Sequence, residues 1–257
     1  MFTPEQNIEC FQQTRELSFN DYISKETQKT INNTRIYHEP TKCIVPNNQY
    51  ANKIDFVILD TVSTIFNVKN NTNERVAALN FADPFEPGGL VIQGAQTQEE
   101  SLCRCSNLYE SLIKDECKEE YYLYNRSLNN RAFSDRIIYS PDVAFFRDNT
   151  TFNITDNYVK CDIITCPAPH GQVRVLGREV YYNTLLKRIR GILKVAASNE
   201  CTVIILGAWG CGAFGNVPLI VAQAFKQAII EEKCFNQVIF AMYSNDKTYE
   251  IFRSILG

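Results

Sequence analysis

The chain has 257 residues, 45% hydrophobic and 21% charged, with a formal net charge of −3. A chain of this length and composition buries a core without disulfide staples, and its charge excludes a broad basic surface for duplex nucleic acid. Ten cysteines are the unusual feature; with no basic and apolar leader and no apolar run near the length of a membrane span, free thiols in a reducing compartment, cytoplasm or nucleus, are expected.

From Pro4 to Thr34 the sequence is polar and helix-compatible, with Ile8, Phe11, Leu17, Tyr22 and Ile23 thinly spread. Residues 1–45 therefore read as a helical extension and residues 46–257 as one larger domain. That domain opens on a short β-rich run, Ile54–Leu59. A second run, Val76–Phe81, ends in the turn-rich Ala82–Gly89. Gln98–Lys114 has helical spacing, with Leu102, Cys105, Leu108, Tyr109 and Leu112 on one face. Arg136–Phe146 predicts two short strands around Ser140-Pro141-Asp142, and Cys161–Cys166 a buried strand stopped by Pro167. A long helix follows over Glu179–Ser198, then a strand over Thr202–Leu206 and a glycine-rich loop from Gly207 to Gly215. Asn216 is the expected N-cap of the next helix, with Pro218 in its first turn. The last strand is Gln237–Met242 and a short helix over Tyr249–Leu256 closes the chain. Alternating strands and helices predict an α/β fold whose largely parallel sheet is covered on both faces. Ligands of such sheets bind at loops beyond the strand C-terminal ends.

Two of those loops carry chemistry. In Gly207–Asn216 four glycines allow a tight turn, and backbone amides beside a helix N-terminus suit an anion such as a diphosphate. It is neither a Walker loop nor a GxGxxG fingerprint, and a plain tight turn with Trp209 and Phe214 packed inward fits the same residues. In the stretch from Gly88-Gly89 to Gln98-Glu99-Glu100, paired carboxylates beside a glycine turn suit glycosidic acid chemistry. Thr97 and Glu100 equally fit a capping box, with Thr97 as N-cap. No Cys-x-x-Cys pair exists, only two histidines are present, and Cys103 and Cys105 point apart on a helix, so no metal site is expected.

Together the two loops resemble the microbial type of poly(ADP-ribose) glycohydrolase, a branch of the macrodomain fold. The family's signature is a glycine triplet, a short spacer and Gln-Glu-Glu. Asn80-Phe81-Ala82 through Gly88-Gly89 to Gln98–Arg104 resembles it closely, as do Tyr139–Val143 and Gly207–Asn216, and the resemblance spans roughly residues 50–250. It implies a three-layer α/β/α macrodomain with a mixed, largely parallel sheet and an N-terminal helical extension. One position departs: the third glycine is Leu90. A leucine there is expected to narrow the cleft or change the loop backbone.

The resemblance implies hydrolysis of ribose–ribose bonds in poly(ADP-ribose), with ADP-ribose as product, no cofactor and no metal. Glu100 is then the general acid and base, kept protonated by burial beside an ionised Glu99. Glu99 holds ribose hydroxyls, Gln98 adds a polar contact, and Gly88 and Gly89 let backbone amides approach the substrate. Gly210, Cys211, Gly212, Ala213 and Gly215 cradle the diphosphate, and Phe214 covers the distal ribose. Tyr243 stacks on adenine or is an ordinary packed aromatic. A mono-ADP-ribosyl hydrolase acting on a protein or nucleobase linkage, motivated by Leu90, and a non-catalytic ADP-ribose reader are the alternatives. The intact acid pair argues against the reader. The partners are thus poly(ADP-ribose) or ADP-ribosylated macromolecules, without a membrane, and a monomer is the expected state.

Overall fold

The structure, a computed structural model, describes residues 2–45 and 50–257. The boundary expected between residues 45 and 46 falls at the edge of that gap, and residue 46 lies outside the described residues. The chain opens with helices α1 (Pro4–Ser18) and α2 (Ser24–Asn33), then strands β1 (Arg35–Tyr37) and β2 (Lys53–Val57), helix α3 (Thr61–Asn71) and strand β3 (Val76–Phe81). The catalytic-type stretch leads into α4 (Gln98–Cys105) and short helical pieces α5 (Leu108–Leu112), α6 (Asp115–Cys117) and α7 (Tyr124–Ser127), the last two joined by a π-helical turn. The long strands β4 (Ile137–Arg147) and β5 (Ile154–Cys166) follow, then α8 (Arg178–Ser198), β6 (Val203–Leu206), α9 (Pro218–Glu232), β7 (Gln237–Ala241) and α10 (Lys247–Leu256).

The seven strands form one mixed sheet in the order β1-β4-β5-β3-β6-β7-β2. Every pairing from β5 to β2 is parallel, and the two pairings of β4 are antiparallel. One face is sealed by α8, α9 and α10, through Leu185, Ile189, Phe225 and Phe252. The other is sealed by α3, α4 and α5, through Ile65, Leu102 and Leu108. This is the expected α/β/α layering. The loops after β2, β3, β6 and β7 meet at the strand C-terminal ends.

Three local expectations change. Residues 137–147 form one strand, not two: a bulge between Ser140 and Val143 absorbs the Pro-Asp pair, with Asp142 at φ +51°. The buried Asp162 carboxylate pins that bulge, accepting hydrogen bonds from the Asp142 N–H (2.8 Å) and the Arg75 side chain (2.6 Å). The helix expected over 98–114 breaks after Cys105. There Ser106 bridges to Phe145, and the Asn107 side chain accepts from the Ala144 N–H at 2.9 Å. Satisfying β4's backbone outweighs helix continuity there. Finally, Val217 and not Asn216 caps α9.

Helix α1 packs on the segment that carries the acid pair. The Asn7 amide donates to Gly94 O at 2.9 Å, the Thr14 hydroxyl to Arg104 O at 2.6 Å, and Arg15 pairs with Glu110 at 2.6 Å. Gly94 has φ +80°, and a Cβ there would lie 2.3 Å from Pro4 O, so only glycine lets α1 begin where it does. No helix among the described residues is long and apolar enough to cross a membrane.

Candidate active site

A cleft of about 740 Å³ runs across the strand ends. Its lining includes Thr97 and Gln98, Asp60 and Thr61 at the start of α3, Cys211 and Gly212, and Tyr243.

The acid pair lies in the chain between two residues that line the cleft, Gln98 and Ser101. Glu99 and Glu100 open α4, where the helix N-terminus favours negative charge, and both are nearly inaccessible, at 2% and 4% exposure. Gly89 explains how two carboxyls fit. A Cβ on Gly89 would stand 2.5 Å from Oε1 of Glu100 and 3.1 Å from Oε2 of Glu99, and its φ is +60°. The bare backbone of Gly89 therefore packs directly on both carboxyls. Gly88 is packed beneath Tyr109 and Cys103. Two amides of this loop are spent inside the protein, Gly89 N–H donating to Glu86 O at 3.0 Å and Leu90 N–H to Oε1 of Glu100 at 2.9 Å, whereas the Gly88 N–H donates to no protein acceptor among the described residues. The loop serves the acid.

Leu90 itself fits without strain. Its φ of −99° and ψ of 30° suit any L-residue. The side chain is 46% exposed and stands outside the cleft lining, and its backbone carries no left-handed strain.

The capping box does not form. Thr97 is the N-cap of α4, yet its side chain accepts nothing from the helix. Its hydroxyl donates to Oε2 of Glu100 instead. Gln98 is a brace: its amide carbonyl accepts from Phe81 N–H at 2.9 Å, and its NH₂ donates to Leu79 O at 2.8 Å and to the Thr61 hydroxyl at 3.2 Å. Both of its N–H donors are taken by protein atoms, which fix the start of α4 to the end of β3, and the second lone pair of its carbonyl is left for a polar contact in the cleft it lines.

Glu99 accepts from the Asp83 N–H at 2.7 Å and from the Asn80 amide at 3.0 Å. Burial pushes its carboxyl well above the usual range; these two hydrogen bonds oppose the shift, and repulsion from Glu100 adds to it. Two buried carboxyls side by side resist carrying two charges, and the direction of this shift runs against the ionised Glu99 expected from sequence. Asp83 is also raised by burial, against hydrogen bonds from the Phe85 and Glu86 N–H groups. Asn80 and Asp83 were not singled out from sequence, because they meet Glu99 only in space. The sequence signals are that they bracket the end of β3 and that Asn80 opens the stretch resembling the family signature.

The glycine-rich loop is built the opposite way. Trp209 is fully buried and donates its indole N–H to Cys166 O at 3.0 Å. Asn216 holds the loop's base, donating to Pro169 O at 2.8 Å and Gly210 O at 3.0 Å and accepting from the Tyr181 hydroxyl at 2.8 Å. Two of the expected cradle amides are spent inside the loop: Cys211 N–H donates to Ala208 O at 3.0 Å and Gly215 N–H to Gly212 O at 2.9 Å. Such bonds are what close consecutive turns. Among the described residues, the N–H groups of Gly210, Gly212, Ala213 and Phe214 donate to no protein acceptor. The anion site expected here thus rests on these four amides. Burial pushes the Cys211 thiol up to about 12, so it stays neutral. Phe214 is half-buried, packed against Phe133 and His170 with ring centroids 5.9 and 6.1 Å away. Tyr243 is 85% exposed at the cleft, which removes the packed-aromatic alternative.

Among the described residues, no group of three or more His, Cys, Asp or Glu side chains could hold a metal ion. The ten cysteines are free thiols, buried except for half-buried Cys43 and Cys211.

Comparison with known proteins agrees with this geometry. The family model "Microbial-type PARG, catalytic domain" matches residues 9–148, more than half of the chain. No curated protein matches. Poly(ADP-ribose) glycohydrolase (PARG) from Thermomonospora curvata is 25% identical with a TM-score of 0.85, over 98% of this chain and 99% of that one. The same enzyme bound to the inhibitor ADP-HPD is 25% identical with a TM-score of 0.83, over 97% and 99%. The enzyme from Deinococcus radiodurans in complex with ADP-ribose is 33% identical with a TM-score of 0.80, over 90% and 96%. The chain belongs to the microbial-type poly(ADP-ribose) glycohydrolase family.

Proposed function

We propose that this chain hydrolyses the ribose–ribose O-glycosidic bonds of poly(ADP-ribose) and releases ADP-ribose, with Glu100 as general acid and base. The observation that carries this reading is the placement of the Glu100 carboxyl. It is held on both oxygens, by Leu90 N–H and the hydroxyl of the cleft-lining Thr97, against the bare backbone of Gly89. Glu100 gives its proton to the leaving ribose oxygen as the anomeric C–O bond breaks. Water then adds to the oxocarbenium-like carbon and returns a proton to Glu100. Glu99 contacts ribose hydroxyls through lone pairs left free by Asp83 and Asn80. The open amides of Gly210, Gly212, Ala213 and Phe214 take the diphosphate, and Tyr243 stacks on adenine.

The mono-ADP-ribosyl hydrolase reading rested on Leu90, and the relaxed, outward Leu90 gives it no support. Residues 1–45 act with the rest as one catalytic unit, since α1 braces the loop before α4. The ten free thiols fit a reducing cytoplasm or nucleus.

The test is to incubate wild type and Glu100→Gln with poly(ADP-ribose) and with mono-ADP-ribosylated protein, and to measure released ADP-ribose. Wild type is expected to release it from polymer, and the variant to be slower by about 10²- to 10⁴-fold. Release only from the mono-modified protein, or an active variant, overturns the reading.

A further inference from the structure

The two oxygens of Glu100 have different kinds of partner. Oε1 accepts from the backbone N–H of Leu90, a group that can only donate. A proton on Oε1 would weaken Oε1 as the acceptor of that N–H, and Leu90 N–H could not in turn accept it. Oε2 faces the Thr97 hydroxyl, which donates in one rotamer and accepts in another. The surroundings therefore favour the proton on Oε2, where the carboxyl has a matched partner in both of its states. In the ionised state Thr97 donates to Oε2; in the protonated state Oε2 donates to Thr97.

The hydroxyl has no competing structural duty. Thr97 has the extended backbone of an N-cap (φ −84°, ψ −176°), but its side chain bonds to no helix N–H. Its backbone carbonyl starts the helix by accepting from Ser101 N–H at 3.1 Å. Thr97 is also exposed and lines the cleft, whereas Glu100 is 4% exposed.

We infer that Thr97 is a positioning residue for the glycosidic proton: its hydroxyl fixes that proton on Oε2 of Glu100, the carboxyl oxygen that meets a cleft-lining side chain. This rests on the glycohydrolase reading and names a residue outside the Gln-Glu-Glu signature. When the substrate's leaving oxygen arrives, it replaces the Thr97 oxygen as acceptor of the Oε2 proton. After bond cleavage Thr97 donates to the carboxylate again and holds it for the water step.

The test compares Thr97→Val, which keeps the shape and loses the hydroxyl, with Thr97→Ser, which keeps the hydroxyl. Poly(ADP-ribose) hydrolysis is measured as kcat and KM, with the melting temperature as a control. Thr97→Val is expected to lower kcat about 10-fold with KM changed less than about 2-fold, the scale of one hydrogen bond to a charged group. Thr97→Ser is expected to restore kcat to within about 3-fold. A wild-type kcat in Thr97→Val overturns the inference. So does a loss that Thr97→Ser fails to rescue, or one accompanied by an equal loss of folded protein. Glu100→Gln runs alongside: if it stays active, the glycohydrolase reading fails, whatever Thr97 does. If it is inactive while Thr97→Val is normal, only the role of Thr97 falls.

Discussion

The two loops at the strand ends are both rich in glycine, yet they spend their polar atoms in opposite ways. In residues 88–100, the Gly89 and Leu90 N–H groups, the Gln98 amide and both carboxyls are engaged by protein partners. In Gly207–Asn216, four amides point to no protein acceptor while Asn216 and Trp209 clamp the base. A group that moves a proton must be held still in both charge states, and that takes internal partners. A site for an anion must keep its donors unspent until the ligand comes. Glycine serves the first loop by lacking a Cβ that would strike the acids, and the second by exposing amides.

The contrast can be attacked at each end. Gly89→Ala places a methyl 2.5 Å from Oε1 of Glu100, and should lower kcat on poly(ADP-ribose) by about 10²-fold with little change in ADP-ribose affinity. A normal kcat would mean the acid pair does not depend on this packing. Asn216→Ala strips three hydrogen bonds from the base of the open loop. It should weaken ADP-ribose binding by calorimetry about 10-fold and cost about 2 kcal/mol in denaturant unfolding, with saturated kcat within about 3-fold. If kcat falls as far as affinity, the two loops are not separable. Tyr243→Ala should weaken ADP-ribose binding about 10-fold through lost stacking and leave the melting temperature unchanged, because the ring is exposed. Unchanged affinity removes Tyr243 from the site.

Two smaller effects sharpen the picture. Glu99 has a raised native pKa, so its folded form holds a proton that the unfolded chain releases above about pH 4.3. Its stabilisation is full below that value and is lost as pH rises toward the native one. Glu99→Gln escapes this loss, since an Asn80 flip would let its unpaired Oδ1 accept from the new amide. The melting temperature of the variant relative to wild type should therefore rise steadily from pH 4 toward neutral; a difference independent of pH contradicts the buried-carboxyl account. Smallest of all, Leu90→Gly should alter kcat by less than about 2-fold, because the contact to Glu100 comes from the backbone N–H, which glycine also has.

The site was most legible where its chemistry is contiguous. Gly88-Gly89 and Gln98-Glu99-Glu100 announce an acid beside a close backbone approach, and strand–loop–helix order placed both loops at one sheet edge. What stayed hidden is set by three-dimensional partners. Thr97 and Glu100 have capping-box spacing, but whether the hydroxyl turns to the helix or to the carboxyl depends on Leu90 N–H occupying the other oxygen. Asn80 and Asp83 become ligands of Glu99 only once β3 and α4 are packed. The Cys211 and Gly215 amides looked available because a sequence does not reveal which turn closes on which carbonyl. The single strand over 137–147 needed Asp162, some 20 residues away in the chain, to hold its bulge.

The docking of α1 has a consequence for how the protein comes to exist on the ribosome. Asn7, Thr14 and Arg15 find their partners at Gly94, Arg104 and Glu110, at least 87 residues downstream. A polar helix of 15 residues is marginal alone in water, so α1 waits, undocked, while nearly a hundred residues are translated behind it. The loop before the acid pair is then completed by a segment made well before it, and a nascent chain arrested short of Gly94 lacks the carbonyl on which Asn7 docks.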